Sequence, residues 1–431
     1  MYGIANNNQS FRYNYRFIVK KFDSKIKICV TRIYFIFIIF FCLFCFQTKN
    51  INSTQNIVKK NLFLSVENNV EDEIKNNIDN QLNELDFSGV ENLFASLDEN
   101  SKNLVSGNSF LEIVKKFINS ENSNIYTNFI EHSIKLVFND ILSFVPYFAI
   151  IISIAIVYSL IGQFSSDKTK STSSIINYVC FSAIAVIVLK LVTTIMIDVS
   201  KTLLLLEGQM EGIFPIILTL ISSIGGVVTA TTFQPLLAIL SAGITKLFTN
   251  ILIPIFIFSI VFSVVGNISK NVKMEKFSKF FNSLFNWIVG IVFTIFIAFL
   301  TIHGLTVSSS DSISLKTAKF AIKSYVPVLG SYLSDGISLI IASSILVKNA
   351  VGATGLVVLI STIFLPILKI IVFMLLLKLV SAIIQTLSDE KVSSFLFSVS
   401  KSLNMLIVCL LAIGFMFLIS LSILMCCANI F

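Results

Sequence analysis

Charged residues are scarce in this sequence. Only 13% of its 431 residues are Asp, Glu, Lys or Arg, while 55% are hydrophobic and the mean hydropathy is +0.87. Several apolar runs reach about 20 residues, the length at which a helix crosses a bilayer. The composition therefore excludes a soluble fold and predicts an all-α, polytopic integral membrane protein. In that class the net charge of +8 reflects basic residues held at the cytoplasmic face, and no nucleic-acid partner is expected.

The residues of common catalytic and metal sites are also missing. The two histidines, His132 and His303, lie far apart and have no patterned partners. The sequence contains no HExxH motif, no paired aspartate and no Walker A loop. Nearly all of the seven cysteines lie in or beside apolar runs, and the CxxC of Cys42 and Cys45 lies inside an unbroken one, which favours packing over redox chemistry. We therefore predict that the protein is not an enzyme and holds no metal or cofactor.

A basic leader opens the chain and predicts export of the segment after it. Residues 1–32 carry seven lysines and arginines against one acid, Asp23, and fourteen apolar residues come next, at 33–46. This leader, residues 1–46, is typical of a secretory signal peptide, but no small-x-small cleavage site comes after it. An uncleaved signal anchor is therefore the alternative.

The next segment, 47–138, is polar and is predicted to be extracytoplasmic. It is rich in Asn, Glu and Ser, with apolar residues at helical spacing. One helix face is clearest in SFLEIVKKFI, where it holds Phe110, Ile113, Val114, Phe117 and Ile118. The segment is either a small helical region or spacer, or a docking surface for a partner.

Residues 139–431 form the predicted membrane domain, in which apolar runs come in pairs. Each pair flanks a loop that carries lysines; the runs are 141–161 with 175–197, 251–265 with 281–303, and 363–387 with 403–425. The positive-inside bias places all three loops in the cytoplasm. The two joining segments, which we call the first link (213–250) and the second link (325–362), must then each enter and return. Lys316, Lys319 and Lys323 run against this bias because the same topology places them outside.

Two stripes beside these loops predict short helices that lie in the membrane interface. The spacing is that of one helix face in both cases. The stripes are Phe277, Phe280, Phe281 and Leu284, and Val392, Phe395, Leu396, Val399 and Leu403.

Proline spacing indicates an internal repeat with units at about 213–303 and 325–425. Pro215 and Pro254 are thirty-nine positions apart, as are Pro327 and Pro366, so an offset of 112 superposes both pairs. The same offset carries Gly243 onto Gly355. Pro/Gly-interrupted apolar segments in corresponding positions predict helical hairpins joined by broken or re-entrant helices that meet near a pseudo-symmetry axis. Two short spans in each link are the alternative.

Some residues inside the apolar runs are candidates for function because charge is costly in a bilayer. Lys348, beside Asn349, is predicted to line an interior polar path or to contact protein, with interfacial anchoring as the alternative. Asp335 is the most suggestive acid, but it has no acidic mate. For Gly243 and Gly290 we expect close helix packing instead. The other lysines in these runs are Lys190, Lys246, Lys369 and Lys378. The full set for a pore or subunit contact is Pro215, Gly225, Gly226, Pro235, Lys316, Lys319, Pro327, Asp335, Lys348, Asn349, Gly352 and Gly355.

Three stretches of about residues 140–425 resemble the stage III sporulation protein AE family of endospore-forming bacteria. They are FPIILTLISSIGGVVTATTFQPLL (214–237), LKTAKFAIKSYVPVLGSYLSDG (315–336) and SSILVKNAVGATGLVVLISTIFLPILKI (343–370). The positions that match the family motif are Lys316, Ala318, Lys319, Phe320, Pro327, Asp335, Lys348, Asn349 and Gly352. The family has no established catalytic residues, so none is carried over.

The resemblance implies a multi-pass protein of the mother-cell membrane that faces the forespore. It would be one subunit of a channel-like complex, related in part to secretion systems, that supports late forespore gene expression. The implied partners are other membrane subunits, an ATPase and, indirectly, a forespore membrane protein. Two alternatives remain: a secondary transporter acting alone, and a non-conducting membrane scaffold.

Overall fold

Helices make up nearly all of the described structure. The computed structural model describes residues 68–105, 107–119, 125–164, 170–268, 275–325, 330–386 and 390–427. The residues from Ile74 onward belong to one compact unit. The leader lies outside the described residues, so its role as signal peptide or anchor stays a prediction.

Four short helices come first: α1 (Asn68–Glu84), α2 (Ser88–Ser96), α3 (Glu99–Val105) and α4 (Phe110–Asn119). The predicted amphipathic helix is confirmed as α4, in which Phe110, Ile113 and Val114 are fully buried. Its first turn is capped twice. The Ser109 hydroxyl accepts the N–H of Glu112 at 3.1 Å, and the Glu91 carboxylate of α2 accepts the N–H groups of Phe110 (3.0 Å) and Leu111 (2.8 Å).

The remaining chain forms long helices. They are α5 (Ile125–Phe164), α6 (Lys170–Ser223), α7 (Val227–Ala238) with its continuation to α9 (Ile253–Ile268), α10 (Glu275–Tyr325), α11 (Gly330–Thr386) and α12 (Glu390–Cys426). Six stretches in the described chain are long and apolar enough to cross a membrane. They are Lys135–Val157, Tyr178–Ser223, Val227–Asn267, Lys276–Ile302, Gly336–Thr386 and Lys391–Cys426.

The helix ends that flank the three lysine-bearing connections lie together at one end of the bundle, which we call the lysine end; the connections themselves fall outside the described residues. Lys391, at the start of α12, lies 5.5 Å from the ring centroid of Tyr178, near the start of α6. Ser259 of α9 lies 3.3 Å from Ser278 of α10 and 3.3 Å from Ser402 of α12, all near the second and third connections. The opposite end carries the turn at Gly225 and Gly226, and we call it the glycine end.

The long helices exceed one bilayer in length. The 54 residues of α6 extend about 81 Å at the α-helical rise, whereas the hydrocarbon core is about 30 Å thick. The halves of α6 and α11 toward the glycine end are covered in part by the short helices. There α2 packs on α6, while α3 and α4 pack on α11.

The predicted interruptions at three of the prolines are wrong. Pro215 lies inside α6, Pro235 inside α7 and Pro366 inside α11, and each helix continues through its proline. Pro215 and Pro235 are exposed on their helices. In an apolar bundle the carbonyl freed by a proline can be accommodated by a local adjustment of the turn, so the helix need not end. The first arm of the first link is consequently the end of α6 rather than a separate span.

The first link reverses at glycine instead. Gly225 has φ of 94°, a conformation that costs a residue with a Cβ about 1–2 kcal/mol. The N–H of Gly226 donates to the carbonyl of Ile221 at 2.9 Å, and the N–H of Gly225 donates to that of Ser222 at 2.9 Å. This pair of bonds is a Schellman motif, which ends α6. The first link is therefore a helical hairpin.

After this turn, π-helical stretches join α7 to α9. The first, π1, spans Ile239–Ile244, a short helix α8 (Thr245–Leu247) follows, and the second, π2, spans Phe248–Leu252. Pro254 is the second residue of α9, and one residue, Ile253, separates it from π2. Because proline cannot donate an N–H and its ring crowds the carbonyl four residues earlier, a widened turn just before it relieves that crowding.

The second link does not repeat this pattern. The offset of 112 carries Ile224 onto Gly336, which lies inside the continuous helix α11 together with Gly352 and Gly355. Pro327 lies outside the described residues. The turn of the first link thus has no counterpart at the matching position of the second, and the internal repeat stays a prediction.

The two predicted interfacial helices are also wrong as separate elements. Both stripes form the first turns of long helices, α10 and α12. In α12 the stripe is part of the core, since Phe395, Leu396 and Val399 are fully buried. In α10 Phe281 stacks on Phe262 of α9 with ring centroids 5.3 Å apart, so part of that stripe packs within the hairpin.

Candidate functional site

Helix α11 lies at the centre of the bundle and carries the buried polar residues of the second link. It packs against α12, α6, α5, α10 and the short helices α3 and α4. Many of its apolar side chains are buried by these neighbours, and several polar side chains, among them Ser343, Lys348 and Thr354, are enclosed with them. The polar residues on α11 from Ser343 to Lys369, with their partners, form the candidate site, here called the α11 polar face.

Lys348 is the strongest residue of this face. Its side chain is 0% exposed, and its Nζ donates to the carbonyl oxygen of Cys427 at 2.6 Å. Cys427 directly follows α12, where the last carbonyls of a helix lack partners within it and carry the negative end of the helix dipole. An ammonium group is suited to that position, so Lys348 fixes the end of α12 against α11. This contact lies within the chain, so a role of Lys348 in a pore or a subunit contact stays a prediction.

Glycines next to Lys348 allow this close approach. A Cβ on Gly352 would lie 2.5 Å from Cγ of Met425, near the end of α12. A Cβ on Gly355 would lie 3.2 Å from Cδ1 of Ile213, on α6. Helices α12 and α6 therefore pack closely on two faces of the segment from Lys348 to Gly355. The contact of Ile213 with Gly355 also joins the first link to the second.

The expected packing roles of Gly243 and Gly290 are not found. A Cβ on Gly290 would meet nothing within 4 Å, and one on Gly243 would meet only Ile239 of its own helix, at 3.5 Å. Gly208 and Gly212 of α6 take that role instead. Their Cβ positions would lie 2.8 Å from Leu93 and 2.7 Å from Val90 on α2. The GxxxG spacing of this pair was the signal that could have found the contact.

Amide and hydroxyl groups continue the α11 polar face. Gln209 of α6 is 2% exposed and donates to the Thr362 hydroxyl at 2.8 Å. Gln81 of α1 donates to the hydroxyls of Ser343 (3.3 Å) and Ser344 (2.8 Å). Some buried acceptors of the described chain have no hydrogen-bond partner: Oε1 of Gln81 and Gln209, Oδ1 of Asn349 and Oγ1 of Thr354.

An ion pair completes the face toward the lysine end. Nζ of Lys369 lies 2.5 Å from Oδ2 of Asp198 on α6, and both side chains are about one-third exposed. Asp140 of α5 lies close enough for both charges to act on it. Lys369 is a candidate from the sequence, but its partner was missed. Asp140 and Asp198 each adjoin the end of an apolar run, at 141 and 197, and that shared position was the available signal.

The other predicted residues are distributed away from this face. Gly225 and Gly226 form the turn of the glycine end, and Pro215 and Pro235 lie exposed on α6 and α7. Lys316, Lys319 and Asp335 lie in α10 and α11, but their side chains fall outside the described part of the structure, as does all of Pro327. Within the described ranges, no group of three or more His, Cys, Asp or Glu side chains is placed to hold a metal ion.

Known proteins of one family match most of this chain. The family model described as Stage III sporulation protein AE (spore_III_AE) matches residues 108–428. The chain belongs to the stage III sporulation protein AE family. One curated relative, Stage III sporulation protein AE of Bacillus subtilis (strain 168), is 28% identical over 218 residues, 51% of this chain and 55% of the relative. The chain thus matches about half the length of this family member. No solved structure matches it.

Proposed function

We propose that this protein is a membrane subunit of the channel-like or secretion-like complex between mother cell and forespore. In this role it supports endospore development and late forespore gene expression without catalysing a reaction. The observation that carries the proposal is the extent of the family match, which covers α4 and all six long apolar helices. Membership in the family implies a role in sporulation.

The proposed location is the mother-cell membrane, with the short helices on the side that faces the forespore. Support comes from the positions of the charges. The helix ends that flank the three lysine-bearing connections lie together at one end, and α2–α4 contact the halves of α6 and α11 toward the other end. Under the positive-inside bias the lysine end is cytoplasmic. Lys316 and Lys319, near the end of α10, remain an exception to that bias.

The proposed contact with other membrane subunits is the exposed face of the first link. Val227 is 53% exposed, Val228 46% and Ile239 68%, although each is apolar. They lie beyond the turn on the helical segment that contains the π stretches. Such a face needs lipid or protein to cover it. Protein is favoured here because the long helices extend beyond one bilayer, and the ATPase would approach the lysine end.

A non-conducting scaffold is the second candidate, and one observation favours it. Lys348 is fully enclosed, and the side chains of Met425 and Ile213 occupy the space beside Gly352 and Gly355. The second link is therefore packed within this chain rather than open. A passage in the complex would then run between this protein and its neighbours.

The role in sporulation is tested by an in-frame deletion in the spore-former that carries this gene. We expect loss of heat-resistant spores and of a forespore-specific late reporter, with restoration by the wild-type gene. A deletion strain that forms heat-resistant spores at the wild-type frequency would contradict the proposed function.

The proposed contact face is tested by photo-crosslinkers at Val227 and Val228 in sporulating cells. The matched control is Val186 on α6, which is apolar and 65% exposed. We expect protein adducts from Val227 and Val228 that disappear when the other genes of the complex are deleted, and lipid adducts from Val186. Lipid adducts from all three positions would contradict the proposal that Val227 and Val228 contact other subunits.

A further inference from the structure

The π stretches of the first link enclose hydroxyl groups that nothing in the fold explains. Thr245 is 0% exposed, and neither its Oγ1 nor the buried Oγ1 of Thr249 has a hydrogen-bond partner. The two threonines are about one turn apart, Thr245 between π1 and π2 and Thr249 within π2. Two buried hydroxyls without partners in one place carry a clear energetic cost.

Many other hydroxyls in the described helices avoid this cost, although the buried hydroxyls of Ser263 and Thr354 also lack a partner. A serine or threonine in a helix can donate to the carbonyl four residues earlier. Thr219 does so to Pro215 at 2.9 Å, Thr231 to Val227 at 2.9 Å and Thr294 to Gly290 at 2.7 Å. Thr245 and Thr249 lie where the turns are widened, which moves that carbonyl away from the hydroxyl. In a π turn each carbonyl accepts the N–H five residues later rather than four, and its second lone pair can still bind a ligand.

We propose that this segment, Ile239–Leu252, binds a monovalent alkali cation through the hydroxyl oxygens of Thr245 and Thr249 and carbonyl oxygens of the widened turns. Irregular backbone at depth in a membrane bundle coordinates such ions with neutral oxygens. Two independent observations meet here: the unpartnered buried hydroxyls and the π geometry. The inference does not depend on the proposed function.

The chemistry of the segment favours this class of ligand. Calcium and magnesium need carboxylate ligands, and the segment contains no acid. Zinc and other transition metals prefer His or Cys, and these are missing as well. Carbonyl oxygens disfavour an anion. Phe248 and Leu252, both fully buried, keep the surroundings apolar, while the exposed Lys246 has Glu207 of α6 in its electrostatic neighbourhood.

The test uses the full chain, purified in detergent without alkali salts. Its thermal unfolding is followed during titration with NaCl, with KCl and with choline chloride at matched ionic strength. A ligand that binds only the folded state raises the unfolding temperature in proportion to its occupancy. We expect a saturable rise with sodium or potassium and none with choline. Equal unfolding temperatures in all three salts would overturn the proposal and leave ordered water as the occupant.

Valine variants locate the site. The double variant Thr245→Val and Thr249→Val removes both hydroxyls at nearly constant volume, and we expect it to lose the cation dependence. A single Thr→Val change should raise the half-saturating concentration about tenfold, equivalent to about 1.4 kcal/mol. The control variant Thr219→Val and Thr231→Val removes two exposed hydroxyls and should keep the dependence. An unchanged dependence in the first double variant would contradict the site.

A serine variant separates binding from folding. Thr245→Ser and Thr249→Ser keep the hydroxyls and should keep the cation dependence even where the valine variant fails to fold. On the wild-type protein, ²³Na relaxation should show a bound fraction that potassium displaces. If the wild-type protein, the serine variant and the valine variant all gave the same sodium relaxation, any bound ion would lie elsewhere.

Discussion

The first link turns back at Gly225 and Gly226 and continues through two π stretches, whereas the second link is helical without interruption from Gly330. The two share their proline spacing but differ in how they are covered. The first exposes Val227, Val228 and Ile239, while the second encloses Lys348 and packs its glycines against neighbouring helices. Helix α6 thus ends at Gly225, which has a positive φ, and not at Pro215, which lies inside it.

Among the substitutions that test this comparison, reversal of the charge at Lys348 is expected to destabilise the protein most. Lys348→Glu places a carboxylate against the Cys427 carbonyl in a fully buried position, with no cation left to offset it. We expect about 3–5 kcal/mol of destabilisation, measured as a lowered unfolding midpoint of the purified protein. Lys401→Glu, exposed on α12, is the control and should change stability by less than about 0.5 kcal/mol. Similar midpoints for the two variants would show that Lys348 is not enclosed.

The packing of α12 against α11 gives the next largest effect. Gly352→Val would clash with Met425 and cost about 1–3 kcal/mol, and Met425→Ala should recover part of that loss. A double-mutant cycle measures the coupling between the two sites. Additive effects of the two changes would contradict the contact. Gly336→Val, where a Cβ meets nothing within 4 Å, serves as the reference.

The turn of the first link is compared with Gly336, the helical glycine of the second link that lies next to the matching position. Gly225→Ala forces a Cβ into a positive φ and should destabilise the fold by about 1–2 kcal/mol. Gly336→Ala lies in a helix with open space and should stabilise it by about 0.5–1 kcal/mol. Opposite signs in denaturant unfolding are the expected result. If both substitutions changed the free energy of unfolding in the same direction, the two glycines would have the same kind of backbone conformation, which would contradict the difference between the links.

The ion pair between the two helices should give the smallest effect. Asp198 and Lys369 are each about one-third exposed, so screening limits their coupling to about 1 kcal/mol or less. The combined variant Asp198→Asn with Lys369→Met should therefore cost less than the sum of the single changes. A cycle with no coupling at low salt would show that the pair does not hold α6 to α11.

Much of this architecture could be predicted from sequence. Apolar runs of sufficient length marked the long helices, and lysine-bearing loops marked one common end. The spacing of Phe110, Ile113 and Val114 marked the buried face of α4. These features depend on local composition and period, which a sequence displays.

The remaining features depend on contacts between distant segments. Whether Pro215 ends a helix depends on what surrounds the carbonyl that it leaves without a donor. Whether Gly352 allows close packing or bends its helix depends on whether a side chain such as Met425 lies against it. The pairing of Asp198 is recognisable only from the fold, in which Lys369 of another helix lies 2.5 Å away. For these residues the sequence supplied the candidates, and the packing decided their roles.

The most direct test of the account is cysteine accessibility in sporulating cells on a cysteine-free background. Ala350→Cys and Val351→Cys probe the second link, where both positions are 2% exposed or less, and Val227→Cys and Val228→Cys probe the first. We predict no labelling of residues 350 and 351 by a polar thiol reagent. We predict labelling of residues 227 and 228 only when the other genes of the complex are deleted. Labelling of residues 350 and 351 in the intact complex would contradict the packed second link and place a water-filled path through this protein.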